Sequence, residues 1–383
     1  MPEAVIVDAI RTPIGRAAKG SLKDVRADDL AAVPLKALVD RNPEVDFAQT
    51  NDIMMGCGFQ AGEQGANVGR NAALLAGIDH HVPATTVNHF CASSLQTIRM
   101  AFHAIKAGEG DQYVAAGTEA VSRFPAAEAW EFHPKLNGSE GSLFDVYIPM
   151  GMTAENVAER CHVSREAQDE WAAVSQNRAV AARDSGHFDA EIVAVTTPDG
   201  TEVSRDDGPR PGTTVEKLAE LKPAFKPDGT VTAGNACPLN DGAAAVLVMS
   251  DTKASELGLE PRARIVASAT AANEPEYMGV APIWAIKKVL ERAGMSIEDV
   301  DTVELNEAFA AQVIPIMAEC NIPLDKMNPH GGAIALGHPF GMTGARIMTT
   351  LINGLETDDK TIGLDTMCVA GGQGQAMIVE RLN

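Results

Sequence analysis

The run Pro282-Ile283-Trp284-Ala285-Ile286-Lys287-Lys288-Val289-Leu290-Glu291-Arg292-Ala293-Gly294, with Val303-Glu304-Leu305 after it, decides the fold. Ile286, Val289, Leu290 and Ala293 recur at helical spacing. Pro282 opens the helix where its missing N–H has no partner to lose, and Gly294 ends it. Val303-Glu304-Leu305 then reads as a strand, and Val313, Ile316 and Met317 as the next helix. The same order stands near the start of the chain, about 250 residues earlier. After a β-rich stretch from Ala4 to Val7, a helix carries Leu30, Val33, Ala37 and Leu38 behind the capping-type Asp28-Asp29, and Pro34 is expected to shorten or kink it. Ile53-Met54-Met55 follows as a strand, and a helix runs through Val68, Ala72, Leu75 and Ala76. The offset persists downstream. A small-residue loop around Cys91 leads into a helix with Leu95, Ile98, Phe102 and Ile105, and a loop around His338 leads into one with Ile347, Leu351 and Leu355. Such alternation predicts an α/β fold with mostly parallel sheets, built from two similar halves.

From about Val121 to Leu239 the pattern lapses and Pro, Gly, Asp and Trp become frequent. This stretch reads as an insertion. It holds one expected helix, Ala154 to about Ser185, and a polar segment from Ser204 to Thr214 that carries Arg205 and Arg210. An irregular excursion from a rigid body is a common place for substrate binding.

Composition narrows the function. The chain has 383 residues, 45% of them hydrophobic and 22% charged, a globular balance that excludes disorder and coiled coil. A net charge of −21 makes nucleic acid and anionic membrane poor partners, so an anionic substrate must be caught by a few local cations. The 6 Cys (57, 91, 161, 237, 320 and 368) are too sparse for a disulfide framework and show no metal-ligand spacing. No secretory signal and no apolar run of membrane length is seen, so the expected location is the cytoplasm.

Four stretches carry candidate chemistry. In Val87-Asn88-His89-Phe90-Cys91-Ala92-Ser93-Ser94-Leu95 a Cys precedes a helix start, whose free N–H groups lower a thiol pKa and can hold an oxyanion. A lone Cys is otherwise a small hydrophobe. The Gly-rich run Asn328 to Gly341 lets backbone approach a ligand and presents His338, either a base for a thiol or a core histidine. Thr366-Met367-Cys368-Val369-Ala370-Gly371-Gly372-Gln373-Gly374 puts a second thiol at a strand end, useful where a carbanion is made or protonated. In Glu304-Leu305-Asn306-Glu307-Ala308-Phe309-Ala310, Asn306 could orient a water or merely cap a helix, and Glu307 could fix a neighbouring imidazole.

Together these stretches resemble the thiolases. The likeness also takes in Arg11-Thr12-Pro13-Ile14-Gly15, Met150 to Ala158, Gly229 to Ala236, Asn240 to Ala245 and Gly337-His338-Pro339, nearly the whole chain. It implies two similar βαβαβαββ halves (1–120 with 240–265, and 266–383) in a five-layer α-β-α-β-α body, with 121–239 as an inserted CoA-binding loop domain. It implies that Cys91 is the acylated nucleophile, that His338 activates it, and that Cys368 exchanges the α-proton of acetyl-CoA. The N–H groups of Cys91 and Ala370 would form one oxyanion hole; Asn306, through a water, and His338 would form a second, for the enolate. Arg210, Ala233, Cys237, Met150 and Phe225 would contact the acyl-CoA, with coenzyme A as co-substrate and no permanently bound cofactor or metal.

Some positions depart from the family pattern. Ala370 and Ser94 stand where Gly is usual, Cys237 where Ser is frequent, and Pro149 where condensing members often carry His. Ile148-Pro149-Met150-Gly151 looks more like the degradative enzymes. The expected activity is therefore 3-ketoacyl-CoA thiolysis in fatty-acid β-oxidation. The alternatives are a condensing acetyl-CoA acetyltransferase or a non-catalytic acyl-CoA-binding subunit. A homodimer or homotetramer, with or without hydratase and dehydrogenase subunits, is the expected assembly.

Overall fold

The computed structural model describes residues 2–124 and 131–383; residues 125–130, within the expected insertion, lie outside the described residues. The first half comprises β1 (Ala4–Arg11), β2 (Gly15–Arg16), α1 (Ala27–Arg41), β3 (Asp52–Gly56), α2 (Val68–Leu75), β4 (Ala84–Val87), α3 (Ser93–Ala107) and β5 (Gln112–Ala120). An excursion follows with α4 (Met150–Arg160), α5 (Arg165–Asp184), β6 (Val195–Thr196), β7 (Glu202–Val203) and α6 (Val215–Ala219). Then come β8 (Asn240–Ser250), α7 (Asp251–Glu256), β9 (Ala263–Ala272), α8 (Pro282–Ala293), β10 (Thr302–Leu305) and α9 (Ala310–Cys320). The chain closes with α10 (Ala333–Leu336), α11 (Thr343–Thr357), β11 (Ile362–Val369) and β12 (Gln373–Arg381).

A mixed sheet runs β10-β11-β12-β9-β1-β8-β5-β3-β4, with β2 on β8. The expectation of mostly parallel sheets is corrected here: among the described residues the parallel strand pairs are β3–β4, β3–β5 and β10–β11, beside isolated parallel bridges at Arg11↔Ile192 and Val303↔Met327. The physical reason is that β11 and β12 are joined by a tight turn, which only an antiparallel pair accepts, and β8 returns from the excursion running against both β1 and β5. The duplication survives in the pairing. The order β3, β5, β8, β1 has the same parallel, antiparallel, antiparallel sequence as β10, β11, β12, β9. Among the described residues the two half-sheets pair where β1 meets β9, at Val5↔Arg264 and Ile6↔Ala263.

Strand alternation sorts side chains into separate cores. On β8, Ala244, Val246 and Val248 face a central core while Ala245, Leu247 and Met249 face an outer one under α1 and α2. On β12, Met377 and Val379 join the central core, and Ala376 and Ile378 join a second outer core under α8 and α9. The central core is filled by Leu95, Ile98 and Ile105 of α3 against Ile347, Leu351 and Leu355 of α11. Each of these fully buried side chains contributes about 1.5–3 kcal/mol. The layers thus run α, β, α, β, α.

Where α3 and α11 begin, they nearly touch. A Cβ on Gly344 would lie 2.2 Å from the Leu95 nitrogen, and one on Gly117 would lie 2.0 Å from the Gly341 carbonyl oxygen. Only glycine permits this approach. Ser94 Oγ, in place of the usual Gly, accepts the Ala345 N–H at 2.9 Å and ties the two helix starts together. That crossing brings the Cys91 and His338 loops to one place.

Several local expectations change. Asp28 and Asp29 lie in the first turn of α1 rather than at its cap, which is Arg26, and α1 continues through Pro34 to Arg41 without being shortened. The single helix expected from Ala154 to Ser185 is two, because His162 takes φ 54° and Ser164 starts α5 by accepting the Ala167 N–H at 3.1 Å. Asn306 is no helix cap, since Phe309 holds that place for α9. The excursion is pinned to the body by Arg11, which pairs with Glu191 at 2.6 Å and Asp206 at 2.8 Å, all buried. Among the described residues no helix is long and apolar enough to cross a membrane.

Candidate active site

Cys91 sits in a 3-10 turn, Phe90–Ala92, that runs directly into α3. Phe90 is forced to φ 44°, a conformation that costs a residue with a Cβ about 1–3 kcal/mol. The turn is held by Asn88, whose Oδ1 accepts the Phe90 N–H at 2.8 Å and whose Nδ2 donates to the Gly58 carbonyl at 2.9 Å. The lowering expected from the helix start is present at Cys91 but outweighed. Burial pushes the thiol well above its ordinary value, with Cys368 and Cys237 adding to the effect, while the N–H groups of Ala370 and of Cys91 itself, aimed at the sulfur, pull weakly the other way. Ala370 supplies its N–H without strain, because the left-handed positions of that turn fall on Gly371 and Gly372 at φ 82° and 79°.

His338 is buried in the opposing loop. Its N–H donates to Asn240 Oδ1 at 3.0 Å, and its Nδ1 meets Thr343 Oγ1 at 2.6 Å. That hydroxyl donates its one proton to the Pro339 carbonyl at 2.7 Å, so towards the imidazole it acts as acceptor. The proton is thereby assigned to Nδ1. Nε2 keeps its lone pair and accepts from Asn306 Nδ2 at 3.3 Å. Burial, reinforced by Arg346, pushes this imidazole down to about 3, so it is a neutral acceptor at working pH. Among the described residues no hydrogen bond joins His338 to Cys91; Asn306 holds that nitrogen instead. Asn306 Oδ1 is buried and accepts no hydrogen bond among the described residues.

Cys368 closes β11, fully buried, its thiol pushed up to about 11 by burial. Gln312 of α9, which the sequence reading passed over, hydrogen-bonds its sulfur through both ends of the amide, Nε2 at 3.2 Å and Oε1 at 3.4 Å. The same Nε2 donates to the Asn306 carbonyl at 3.3 Å, so Cys368, Gln312, Asn306 and His338 form one connected chain. Cys237 is pushed up to about 12, chiefly by burial, with Cys368 and Glu307 adding to the effect.

Cys237 also lines a cleft of about 380 Å³ that opens between the excursion and the body. Ala233 and Phe225 line it too, and Arg16, Lys19 and Arg210 stand around it. Arg210 is depressed by partial burial and by Arg16, so two guanidiniums converge there. Arg16 and Lys19, carried by β2 and the turn after it, were not foreseen. Met150 is half-buried at the start of α4, packed on the apolar cluster that contains Cys368, and Phe225 covers Gly151 beside it.

Two buried carboxylates organise the loops. Glu307 does not fix an imidazole, as the sequence suggested; it accepts from Trp171 Nε1 at 3.2 Å, Ser175 Oγ at 2.6 Å, Asn328 Nδ2 at 2.8 Å and the Ile334 N–H at 3.1 Å. It therefore joins α5 to the segment before His338. Glu119, also unforeseen, accepts the N–H groups of Gly58 at 2.8 Å and Gly341 at 2.9 Å, tying the loops on either side of the site. Its only advance signal was an acid at the end of an otherwise apolar strand. Among the described residues, the grouping of His, Cys, Asp and Glu with convergent ligand atoms is Asp79-His80-His81, exposed and sharing no residue with this site.

Residues 4–252 match the thiolase N-terminal domain and residues 259–381 the thiolase C-terminal domain. The chain belongs to the thiolase family and is an acyltransferase. It is 48% identical, over 100% of both chains, to the β-ketoadipyl-CoA thiolase of Acinetobacter baylyi and to the 3-ketoacyl-CoA thiolase of Idiomarina loihiensis. Its fold matches the crystal structure of the Bacillus anthracis acetyl-CoA acetyltransferase with TM-score 0.92 at 40% identity, covering 100% of this chain and 99% of that one. It matches the dimeric peroxisomal thiolase of Saccharomyces cerevisiae with TM-score 0.93 at 38% identity, covering 100% and 98%.

Proposed function

We propose that this chain cleaves 3-ketoacyl-CoA with coenzyme A, giving acetyl-CoA and an acyl-CoA shortened by two carbons, through an acyl thioester on Cys91. The observation that carries this reading is the grouping of Cys91 with Cys368 and Cys237, the last of which lines the cationic cleft, together with the N–H groups of Cys91 and Ala370 that act on one sulfur. Cys91 attacks the C3 carbonyl while its proton passes to Nε2 of His338, and the oxyanion forms against the two N–H groups. The C2–C3 bond breaks, leaving the acyl group on Cys91 and an acetyl-CoA enolate. Nε2, now protonated, becomes a donor to the enolate oxygen beside the water held by Asn306, and Cys368 delivers a proton to C2. Coenzyme A, giving its thiol proton to the Cys368 thiolate, then attacks the acyl thioester, and the Cys91 sulfur leaves with the proton returned from Nε2 of His338.

The same residues run the condensation in reverse, so a condensing acetyl-CoA acetyltransferase is the alternative. Relatives named β-ketoadipyl-CoA thiolase make a dicarboxylic acyl-CoA the further alternative. Comparing kcat/KM across acetoacetyl-CoA, longer 3-ketoacyl-CoAs and 3-oxoadipyl-CoA tests this. We expect the uncharged longer chains to lead 3-oxoadipyl-CoA by at least ~10-fold, the worth of one unpaired buried charge. A preference confined to the C4 or the dicarboxylic substrate would overturn it.

Arg210, with Arg16 and Lys19, supplies the cations for the phosphates of coenzyme A, and Ala233, Cys237, Met150 and Phe225 line the rest of its path. Arg16→Ala and Arg210→Ala should each raise KM for coenzyme A by ~10–100-fold with kcat nearly unchanged, an effect that shrinks as salt rises. A fall in kcat with KM unmoved would remove them from the phosphate role. The reading further divides the chain into halves 1–120 with 240–265 and 266–383, with 121–239 as the CoA-binding loop domain. It takes coenzyme A as a passing co-substrate, a homodimer or homotetramer as the assembly, possible association with hydratase and dehydrogenase subunits in β-oxidation, and the cytoplasm as the location.

A further inference from the structure

We propose that Gln312 is the positioning residue that allows Cys368 to give and take the α-proton, by offering its sulfur a donor and an acceptor from a single fixed amide. The inference rests on the proton-exchange role given to Cys368 above. The amide's orientation follows from its neighbours. The Asn306 carbonyl can only accept, so the NH₂ end must face it at 3.3 Å, and its second hydrogen points to Cys368 Sγ at 3.2 Å. The C=O end then meets the same sulfur at 3.4 Å, where it accepts the S–H. A flipped amide would set two acceptors against each other at Asn306. Gln312 is fully buried, and a Cβ on Gly279 would stand 3.1 Å from its own Cβ, so the side chain is packed in place.

This arrangement serves both states of the thiol. In protonation of the enolate, the S–H bond breaks, a C–H bond forms at C2, and the thiolate left behind is held by the Nε2–H. In the reverse step the thiolate removes the proton from C2 and the new S–H turns to Oε1. Among the described residues Gln312 is the side chain that hydrogen-bonds this sulfur, alongside the backbone N–H of Cys368 itself. In so apolar a place these donors decide how readily the thiolate forms, and of the two only the amide is set by a side chain.

The test uses the intact enzyme. Deuterium uptake into the methyl group of acetyl-CoA in D₂O, followed by mass across pH 6 to 9, reads the α-proton step; acylation of Cys91, followed by intact mass, reads the other half-reaction. Gln312→Met should slow deuterium uptake by ~10–100-fold and move its pH profile to higher pH, with Cys91 acylation within about threefold of wild type. Uptake at the wild-type rate, or an equal loss in both half-reactions with an unmoved pH profile, would overturn the proposal. Should Gln312→Met fail to fold, the near-isosteric Gln312→Glu carries the same test: its uptake should fall further behind wild type as pH rises, and a constant ratio would overturn the proposal. Cys368→Ala run alongside separates the two readings. If that variant exchanges normally, the role of Cys368 itself has failed; if it loses exchange while Gln312→Met keeps it, only the role of Gln312 has.

Discussion

Cys91→Ser is expected to abolish the acyl adduct that 3-ketoacyl-CoA leaves on this chain and to lower thiolysis by on the order of 10⁴-fold or more. The reason lies in the pairing of an unwilling acid with a weak base. Burial holds the Cys91 thiol above its ordinary range and pushes His338 down to about 3, so the resting site is a neutral thiol beside a neutral imidazole. Attack and proton transfer must therefore occur together, with the forming oxyanion balancing the imidazolium. A serine hydroxyl is a far weaker acid still, and each further unit of pKa adds about 1.4 kcal/mol to that transfer. Intact mass after incubation with substrate reads the adduct directly. An adduct persisting in Cys91→Ser would move the nucleophile to another thiol, with Cys237 and Cys368 the first to test. The same geometry sets a pH dependence: Cys91 alkylation by iodoacetamide should keep rising through pH 9, because the thiol form persists there. A plateau near neutrality would mean a preformed thiolate–imidazolium pair and would contradict this account.

Cys368→Ala is expected to separate the two half-reactions. It should still accept acyl groups on Cys91 from acyl-CoA, while α-proton exchange of acetyl-CoA falls by ~10²–10⁴-fold, the usual contribution of a positioned acid or base. The N–H groups of Cys91 and Ala370, proposed above to hold the oxyanion, are backbone groups that do not depend on the second sulfur. The proton, by contrast, is assigned to the one sulfur that the Gln312 amide hydrogen-bonds. Normal exchange in this variant would reject the assignment, and loss of both reactions together would show that the sulfur shapes the nucleophile's pocket instead.

Much of this was legible in the chain of residues. Helical spacing around Ile286 and Leu95, and strand runs such as Val303-Glu304-Leu305, gave the elements because burial of one face imposes a period on the sequence. Cys91, His338, Asn306 and Cys368 stood out because each lies where a regular element breaks. What stayed hidden depends on partners distant in sequence. Gln312 is an ordinary helix residue until Cys368 and the Asn306 carbonyl arrive beside it, and Glu119 is an ordinary strand end until Gly341 closes on it. Glu307 looked like a partner for histidine by proximity in sequence, yet it points to Trp171 and Ser175 of α5. Arg16 escaped notice because nothing local marks it; only the return of the excursion sets it next to Arg210.

The amino-acid sequence by itself determined the duplicated α/β body, the excursion and the reactive residue types, since periodicity, turn residues and short motifs are properties of neighbours along the chain. Only the tertiary structure decided the direction of the strands, the protonation of the site and the gathering of cations at one cleft in a chain of charge −21. Strand direction depends on how distant segments return, as β8 does between β1 and β5. The pKa values of Cys91 and His338 depend on burial, which here outweighs the helix start that the local sequence displays. Net charge is a sum over the whole surface, whereas recognition acts over a few ångströms, and it is folding that gathers Arg16, Lys19 and Arg210 around one cleft.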